Sequence, residues 1–279
     1  MSETKTNPAY EAIKDRLEEF KKKHIPVPTP EMIKTKEQID GIIEAGKINT
    51  AILDMVGLSI HAGMSTEAIN KLVHNYTVSH DAIPAPLGFE GFPKSVCVSV
   101  NDAVCHGIPS DNEILKNGDI VNVDVTTIYK GYYADASRMY CVGTPSKTAL
   151  KLIQTTQESV ELACKSLKPW TSRLGDIGGI INKYCKSKGF KVVREIGGHG
   201  VGVGFHEDPY VSHVSKFGTG MVLVPGMVFT IEPMVNEGTA MVYEDSGNGW
   251  TIYTWDGKLS AQVEHTIAIT EDGIEILTH

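Results

Sequence analysis

The sequence is poor in positive charge and in long apolar runs. Lysine and arginine total 26 against 34 acidic residues, a net charge of −8, and the one basic run is Lys21 to His24. This balance argues against a nucleic-acid groove, which needs a basic surface. The first residues lack the apolar core of a secretory signal, and no stretch approaches membrane-spanning length. We therefore expect a soluble, cytoplasmic protein without a membrane or sequence-specific nucleic-acid partner.

Cysteine is scarce as well. The five cysteines form no CxxC pair and have no regular spacing, which indicates reduced thiols and no disulfide framework. The 279 residues are 41% hydrophobic, enough to bury a sizeable core. That length fits one large domain or two closely packed halves.

A β-hairpin that carries two carboxylates is predicted for residues 120–140. Valines alternate with polar residues around Asp124, so a period of two places Asp124 on the face opposite the valines. A turn at Tyr129 to Gly131 reverses the chain, and pairing about its midpoint sets Asp135 opposite Asp124. Like charges that face each other across strands are destabilising. We therefore expect a divalent metal between them; two solvated acids on an exposed sheet face are the alternative.

The second half of the chain repeats this arrangement. Gly118 precedes Asp124 by six positions, and Gly226 precedes Glu232 by the same offset, with matching apolar residues between them. An Asp-Gly hairpin signal at 256–257 then leads into a strand that carries Glu264. The sequence thus predicts two related halves, each with one strand pair and two acids.

Helices and connectors account for the remaining chain. A charged helix at 8–24 and a proline-rich connector define an N-terminal extension, residues 1–35, ahead of a main domain at 36–279. In that domain the patterns predict a strand at 94–100 and helices at 36–60, 66–79, 147–167 and 174–188. Strand pairs followed by two helices, repeated, predict an α+β architecture.

Three of the ten histidines are candidates for chemistry. His199 lies in GGHGVGVGFHEDP, whose dense glycines indicate close approach of the backbone to a ligand. A dinucleotide loop is the weaker alternative, since no amphipathic helix follows. His206 lies seven residues further, and His106 lies in the polar loop NDAVCHGIP. Structural positions are expected for His61, His74, His80 and His265, and surface or loop positions for His24, His213 and His279.

The candidate metal ligands are four carboxylates and one imidazole: Asp124, Asp135, Glu232, Glu264 and His199. An oxygen-rich set of this kind suits Mn, Fe(II) or Co, with Zn also acceptable. Four acids overcharge one ion, so they favour two ions that share carboxylates at about 3.5 to 4 Å. Such a pair lowers the pKa of a bridging water toward about 7, and hydrolysis is the predicted chemistry.

Five motifs occur in the order expected of a known family. NDAVCHGIP, IVNVDVTTIYKGYYADASRMY, GGHGVGVGFHEDP, MVFTIEPMV and SAQVEHT together resemble the type I, bacterial-type methionine aminopeptidases along residues 36–279. The resemblance implies the pita-bread fold, in which two α/β halves related by a pseudo-twofold hold a dinuclear metal site between them. Only 25 residues separate His206 from Glu232, too few for the helical insertion of type II members.

The resemblance also implies an activity and a set of residue roles. The enzyme would remove the N-terminal methionine of nascent proteins whose second residue is small, by attack of a metal-bridging hydroxide on the first peptide bond. Asp124 would chelate one metal, Asp135 and Glu264 would bridge, and His199 with Glu232 would complete the second. Glu232 would also act as the general base.

Two further histidines and an apolar pocket receive roles in the same way. His206 would contact the scissile carbonyl, and His106 would hydrogen-bond the substrate backbone. The methionine pocket would be lined by Phe89, Phe92, Cys97, Phe205 and Trp250, a lining suited to a thioether. Ordinary core packing is the alternative for Phe92 and Trp250. The chain departs from the family pattern in having phenylalanine at 89 and 92, where many members have tyrosine, and Pro86, where some have cysteine.

Two rival functions and the role of the extension stay open at this point. Proline-specific pita-bread peptidases share the five ligands, but the NDAVCHGIP and SAQVEHT motifs and the lack of a separate N-terminal domain favour the methionine enzyme. Non-enzymatic binding relatives have lost ligands, whereas this chain keeps all five. The extension, residues 1–35, would either dock toward the ribosome or pack on the catalytic domain. We expect a monomer.

Overall fold

The computed structural model describes residues 7–278. Their helices are α1 (Pro8–Lys22), α2 (Lys36–Ser59), α3 (Thr66–Ser79), α4 (Lys147–Ser166) and α5 (Leu174–Ser187). Side chains explain where several of these helices begin. Thr35 and Gln38 form a reciprocal capping box at the start of α2, and the Ser146 hydroxyl accepts the Ala149 N–H at the start of α4. All five predicted helices are confirmed to within two residues at each end.

Most of the strands belong to a single sheet. In chain order the strands are β1 (Ile83–Pro84), β2 (Cys97–Val100), β3 (Ala103–Cys105), β4 (Ile120–Tyr129), β5 (Tyr132–Cys141), β6 (Lys191–Val192), β7 (Gly198–Gly200), β8 (Glu207–Val211), β9 (Val228–Ile231), β10 (Met234–Asn236), β11 (Val242–Glu244), β12 (Ile252–Thr254), β13 (Ser260–Gln262), β14 (Glu264–Ile269) and β15 (Ile274–Ile276). The main sheet has nine strands in the order β1-β4-β5-β14-β9-β7-β8, with β2 beside β4 and β15 beside β14. Two three-stranded sheets, β13-β10-β6 and β11-β12-β3, flank it.

The centre of the main sheet has pseudo-twofold symmetry. Strands β5 and β14 are antiparallel neighbours, with Ala136 opposite His265 and Ser137 opposite Glu264. Strand β4 lies outside β5, and β9 lies outside β14. Each half therefore places one strand at the centre (β5 or β14) and one strand outside it (β4 or β9). The predicted pairing of two related halves is confirmed.

Each half covers its strands with its own helices. In the first half the valines of β4 at 121, 123 and 125 are buried against α2 residues Ile52, Leu53 and Val56. In the second half α4 and α5 share one core cluster with Phe229 of β9 and Ile267 of β14. The valine face of the hairpin is thus turned to the core, and Asp124 lies on the other face. The helix pairs precede the strand pairs in both halves, so the predicted order of strands followed by helices is wrong.

The hairpin pairs in a register that differs from the predicted one. Asp124 lies opposite Ser137, and Asp135 lies opposite Thr126. The turn is a two-residue loop, Lys130-Gly131, and both of its residues have positive φ, as such hairpin turns require. This loop moves the pairing by two positions from the predicted register. Because strand faces alternate with a period of two, both acids still share one face.

Two other sequence predictions about strands are wrong in detail. The Asp256-Gly257 turn does not close a hairpin with the strand that carries Glu264, because β12 pairs with β3 and β11, and β13 pairs with β10. Strand β14 instead finds its partners in β5 and β9 across the sheet. The strand predicted at 94–100 begins only at Cys97, because the Ser95 N–H donates to the side chain of Asn70.

The N-terminal helix packs on the second half of the molecule. Tyr10 and Leu17 of α1 and Ile33 of the connector belong to the same core cluster as α4, α5 and β9. Pro26 accepts a hydrogen bond from the Val222 N–H at 3.0 Å, which ties the connector to the same body. Within residues 7–278 no helix combines the length and apolarity that a membrane crossing would need.

The packing of α1 predicts a contribution to stability. Leu17 is fully buried, whereas Leu58 at the end of α2 is 92% exposed. We expect Leu17→Ala to lower the free energy of unfolding by about 2 to 5 kcal/mol, because it leaves a cavity in the core. Leu58→Ala, the matched control, should change it by less than about 0.5 kcal/mol. Urea denaturation measures both, and equal effects would contradict a packed helix.

Candidate metal centre

One cavity collects every predicted site residue. It has a volume of about 710 Å³ and lies on the face of the main sheet that carries the acids. Its lining includes the four acids and all three candidate histidines, together with the five predicted pocket residues: Phe89, Phe92, Cys97, Phe205 and Trp250. These residues come from widely separated parts of the chain and meet only in the folded protein.

The four acids come from the central strands of both halves. Asp124 and Asp135 belong to β4 and β5, Glu264 begins β14, and Glu232 directly follows β9. Strands β9 and β14 are antiparallel, and Ile231 lies opposite His265. One step further along the two chains, Glu232 and Glu264 therefore lie next to each other. The pseudo-twofold therefore brings two acids from each half to one place.

His199 is oriented toward these acids by its own neighbour. Its Nδ1 atom lies 2.9 Å from the Gly200 carbonyl oxygen, to which it donates its proton, so Nε2 keeps a free lone pair. Nε2 lies 3.7 Å from Asp135 Oδ2 and 3.6 Å from Glu232 Oε1. Ligand atoms of Asp135, His199 and Glu264 all lie within 4.8 Å of one another.

Hydroxyl and amide groups hold some carboxylate oxygens and leave others without a protein partner. The Thr126 hydroxyl donates to Asp135 Oδ1 at 2.7 Å. Both oxygens of Glu232 accept hydrogen bonds, from the Thr230 hydroxyl at 2.7 Å and from the Gln262 amide at 3.1 Å. Glu264 is only 1% exposed, yet its Oε2 has no hydrogen-bond partner within the described residues. A buried acceptor of this kind needs a partner from outside the chain.

Burial and mutual repulsion disturb the titration of the acids. Burial raises the pKa of Asp124 to about 7 and that of Glu232 to about 8. The pKa values of Asp135 and Glu264 lie well above the usual range, because both are buried and both are repelled by other acids of the cluster. Burial lowers the pKa of His199 to about 4, with nearby His206 acting in the same direction. The cluster therefore needs added positive charge before its acids can ionise together.

The donor set fits divalent metal ions. Four carboxylates and a neutral imidazole with a free Nε2 match the ligand preferences of Mn, Fe(II), Co or Zn. The unpartnered oxygen of Glu264 and the raised carboxyl pKa values are what a cation at this place would correct. The five predicted ligands, Asp124, Asp135, His199, Glu232 and Glu264, are the residues that would hold it.

Aromatic rings form the opposite wall of the cavity. Phe89 contacts Phe205 with ring centroids 4.8 Å apart, and Phe92 contacts Trp250 at 5.1 Å. His206 stacks on Phe205 at 4.2 Å and meets the ring of His199 at 4.4 Å. The cavity thus has a carboxylate side and an aromatic side, with His206 between them.

Comparison with known proteins identifies the family. The profile of metallopeptidase family M24 matches residues 40–271. The chain belongs to this family. A methionine aminopeptidase A of Synechocystis sp. is 48% identical over 246 residues, which cover 88% of this chain and 96% of the relative. The crystal structure of methionine aminopeptidase from Rickettsia prowazekii superposes with a TM-score of 0.87 at 44% identity, over 88% of this chain and 99% of that one.

A proline-specific member of family M24 is less similar. The prolidase from Pyrococcus furiosus superposes with a TM-score of 0.70 at 26% identity, and the chain covers 65% of that structure. The family and the closer similarity to methionine aminopeptidases confirm the resemblance predicted from the five motifs. The protein is therefore a metallo-aminopeptidase of the type I methionine aminopeptidase group with the pita-bread fold.

His213 of this M24 member has a position that the sequence did not indicate. It lies in the loop between β8 and β9, as one of the two expected placements has it, but it is only 1% exposed and so is not at the surface. Its Nε2 accepts the backbone N–H of Glu232 at 3.1 Å, which steadies the residue next to β9. Burial lowers the pKa of His213 to about 3, and the neutral ring can act as this acceptor. His279 lies outside the described residues, and His265 hydrogen-bonds the Thr278 carbonyl oxygen at 2.6 Å.

The two residues that hydrogen-bond Glu232 could have been found from the sequence. Thr230 and Gln262 precede Glu232 and Glu264 by two positions, so strand periodicity places them on the same face. The cavity lining also includes residues to which the sequence assigned no role: Ala85, Glu90, Thr126, Ile128, Tyr133, Ile196 and Tyr210. Tyr210 follows the glycine-rich motif directly, whereas Glu90 and Tyr133 flank predicted residues and carry no pattern of their own.

The raised carboxyl pKa values predict a pH-dependent stability for the metal-stripped protein. An acid whose pKa is raised on folding binds its proton more tightly in the folded state. Its stabilising effect is full below the ordinary carboxyl pKa and is lost as the pH rises through about 7 for Asp124 and about 8 for Glu232. We expect the melting temperature of stripped protein to fall between pH 6 and pH 9, and added Mn(II) to restore it.

Calorimetric or fluorescence melting curves test this expectation. Glu232→Gln provides the control, because its neutral amide no longer titrates and the fall with pH should be smaller. A melting temperature that is constant or rises with pH in the stripped protein would contradict the buried charge cluster.

Proposed function

We propose that this aminopeptidase removes the N-terminal methionine of nascent polypeptides whose second residue is small, and that two divalent ions assist it. The observation that carries the proposal is the single cavity in which four buried carboxylates and His199 face an aromatic wall. Bound divalent ions supply Lewis acidity, since they polarise a carbonyl oxygen and lower the pKa of water. By resemblance, Asp135 and Glu264 would lie between the ions, with Asp124 on one side and His199 with Glu232 on the other.

Glu232 is the proposed general base. Its two oxygens are fixed by Thr230 and Gln262, which keeps the carboxylate in one orientation. Burial, with repulsion from Asp124, raises its pKa to about 8, which favours the protonated form at neutral pH. A cation beside it brings this pKa back down, and Glu232 can then accept a proton from the attacking water.

His206 and His106 are the proposed substrate contacts. Burial lowers the pKa of both imidazoles, with His206 adding to the effect on His106, and this favours the neutral ring, which offers one N–H. His206 would donate this proton toward the carbonyl oxygen as negative charge develops on it. His106 adopts a positive φ of 55° in its loop, and its ring meets that of Trp250 edge to face with centroids 6.4 Å apart. It would bind the substrate backbone near the scissile bond.

The aromatic wall is the proposed pocket for the methionine side chain. Phe89, Phe92, Phe205 and Trp250 offer ring edges and faces to a thioether, a favourable contact for sulfur. Cys97 lies opposite Asp124 in the strand register, at the boundary between the pocket and the acids. Burial raises the pKa of its thiol well above the ordinary value, which suits an inert lining residue.

The extension keeps two proposed roles. Residues 1–35 precede the proposed catalytic domain, 36–279, and α1 packs on it through Leu17. The outer face of α1 carries exposed ion pairs, Glu11 with Lys14 and Glu18 with Lys21, and docking toward the ribosome would use this charged face. Packing on the catalytic domain needs no such partner.

Peptide cleavage tests the proposed function against the proline-specific alternative. Metal-stripped protein is titrated with Mn(II), Co(II) or anaerobic Fe(II), and cleavage of Met-Ala-Ser is compared with cleavage of an Ala-Pro peptide. We expect release of methionine that rises with metal and saturates at two ions. Preferential Ala-Pro cleavage would support a prolidase-like activity, and no cleavage despite bound metal would support a binding protein.

A conservative substitution tests the general base. Glu232→Gln keeps the size and the acceptor oxygen but cannot take a proton, so we expect kcat to fall at least about a hundredfold. The circular dichroism spectrum should stay native. Glu161→Gln, on the exposed face of α4, is the matched control and should retain normal turnover. Near-normal kcat for Glu232→Gln would rule out the assigned role.

A further inference from the structure

A buried lysine from the N-terminal connector reaches the glycine-rich loop of the active site. Lys34 lies just before α2, outside the residues that the M24 profile matches. It is 3% exposed, and its ammonium group forms an ion pair with the carboxylate of Glu207. A buried ammonium is strongly unfavourable without such a partner. The two residues are 173 positions apart, so the contact exists only in the folded chain.

The carboxylate of Glu207 in turn shapes the loop. Its second oxygen accepts the backbone N–H groups of Val203 at 2.7 Å and Gly204 at 2.6 Å. These two residues directly precede Phe205 and His206, which line the cavity. One carboxylate therefore joins Lys34 on one side to the segment that carries His206 on the other.

The lysine itself is fixed by its backbone and its neighbours. Its N–H donates to the Gly226 carbonyl oxygen at 2.7 Å, and Ile33 forms a β-bridge with Met227. Its ammonium group also donates to the Glu31 carbonyl oxygen at 3.0 Å. Gly226 opens the strand that leads to Glu232. The backbone and the ammonium group of Lys34 are thus both fixed by hydrogen bonds, and Glu207 pairs with a charge that has a defined position.

We propose that Lys34 is a positioning residue: through Glu207 it holds residues 203–206 in the shape that directs His206 into the active site. The proposal rests on the function proposed for His206. Without the ammonium group, Glu207 is a largely buried carboxylate without its counter-charge, and it would turn toward solvent. Its hydrogen bonds to Val203 and Gly204 would weaken, and the loop would loosen.

Lys34→Met removes the charge and keeps most of the stem. We expect kcat for Met-Ala-Ser to fall about tenfold, since small displacements of a catalytic group have effects of this order. Mn(II) affinity, measured by calorimetry, should change less than twofold, because Lys34 touches no proposed ligand. Lys34→Arg should recover much of the activity. Lys14→Met, which breaks an exposed ion pair of α1, is the control and should behave as the parent protein.

A double-mutant cycle distinguishes positioning from a general structural effect. Lys34→Met should change kcat less than about twofold in a His206→Ala background, because its effect passes through that histidine. The same tenfold loss in both backgrounds, or no loss in either, would overturn the proposal. If His206→Ala itself has normal kcat, the role of His206 is wrong and the catalytic part of the inference falls with it.

Hydrogen exchange tests the loop without any turnover. We expect faster exchange in a peptide spanning residues 201–206 for Lys34→Met than for Lys14→Met, measured on metal-free protein by mass spectrometry. Unchanged exchange would show that Lys34 does not order the loop. If Lys34→Met fails to fold, Glu207→Gln is the second variant: it keeps the acceptor oxygen, lacks the charge, and should lower kcat in the same direction.

Discussion

Mutual repulsion of four clustered carboxylates is the constraint on which this structure depends. Asp135, Glu232 and Glu264 are almost fully buried and Asp124 is half-buried, and no lysine or arginine among residues 7–278 lines their cavity. Such a cluster is unfavourable by itself, because burial and neighbouring charges both oppose ionisation. The surrounding fold must therefore keep the acids together rigidly enough for added cations to supply the missing charge. Hydrogen bonds from strand hydroxyls and the core packing behind the strands provide that rigidity.

The pseudo-twofold explains how one chain meets this requirement. Each half delivers an acid from a strand that follows a glycine with positive φ, Gly118 or Gly226, and a second acid from the adjacent strand. Pairing of β5 with β14 brings the two sets together at the centre of the sheet. Each half also has its own helices on the far face, so the metal face stays open to substrate. The aromatic wall is not part of this symmetry; it comes from loops that differ between the halves.

Local pattern predicted the helices and the residues that meet in the cavity, because alternation, glycine offsets and motif order are properties of short segments. Local pattern gave wrong predictions where strand register, burial or strand pairing depends on contacts between residues far apart in the sequence. The hairpin register moved by two positions because Lys130 adopts positive φ, which a lysine disfavours. His213 is buried because a loop folds over the residue after β9, and nothing near it in sequence marks that contact. The strand with Glu264 found its partners across the sheet and not at the adjacent Asp-Gly turn.

The same limit applies to the ion pair of Lys34 and Glu207. Sequence alone assigned Lys34 to a separable extension and Glu207 to the edge of a motif, yet the two charges neutralise each other in the folded protein. Buried negative charge near His206 is thus balanced in two different ways. The acids of the centre require cations from solution, whereas the loop beside them is held by a cation that the chain itself supplies. A cation supplied by the chain keeps the loop beside His206 charge-balanced whether or not the acids of the centre hold theirs.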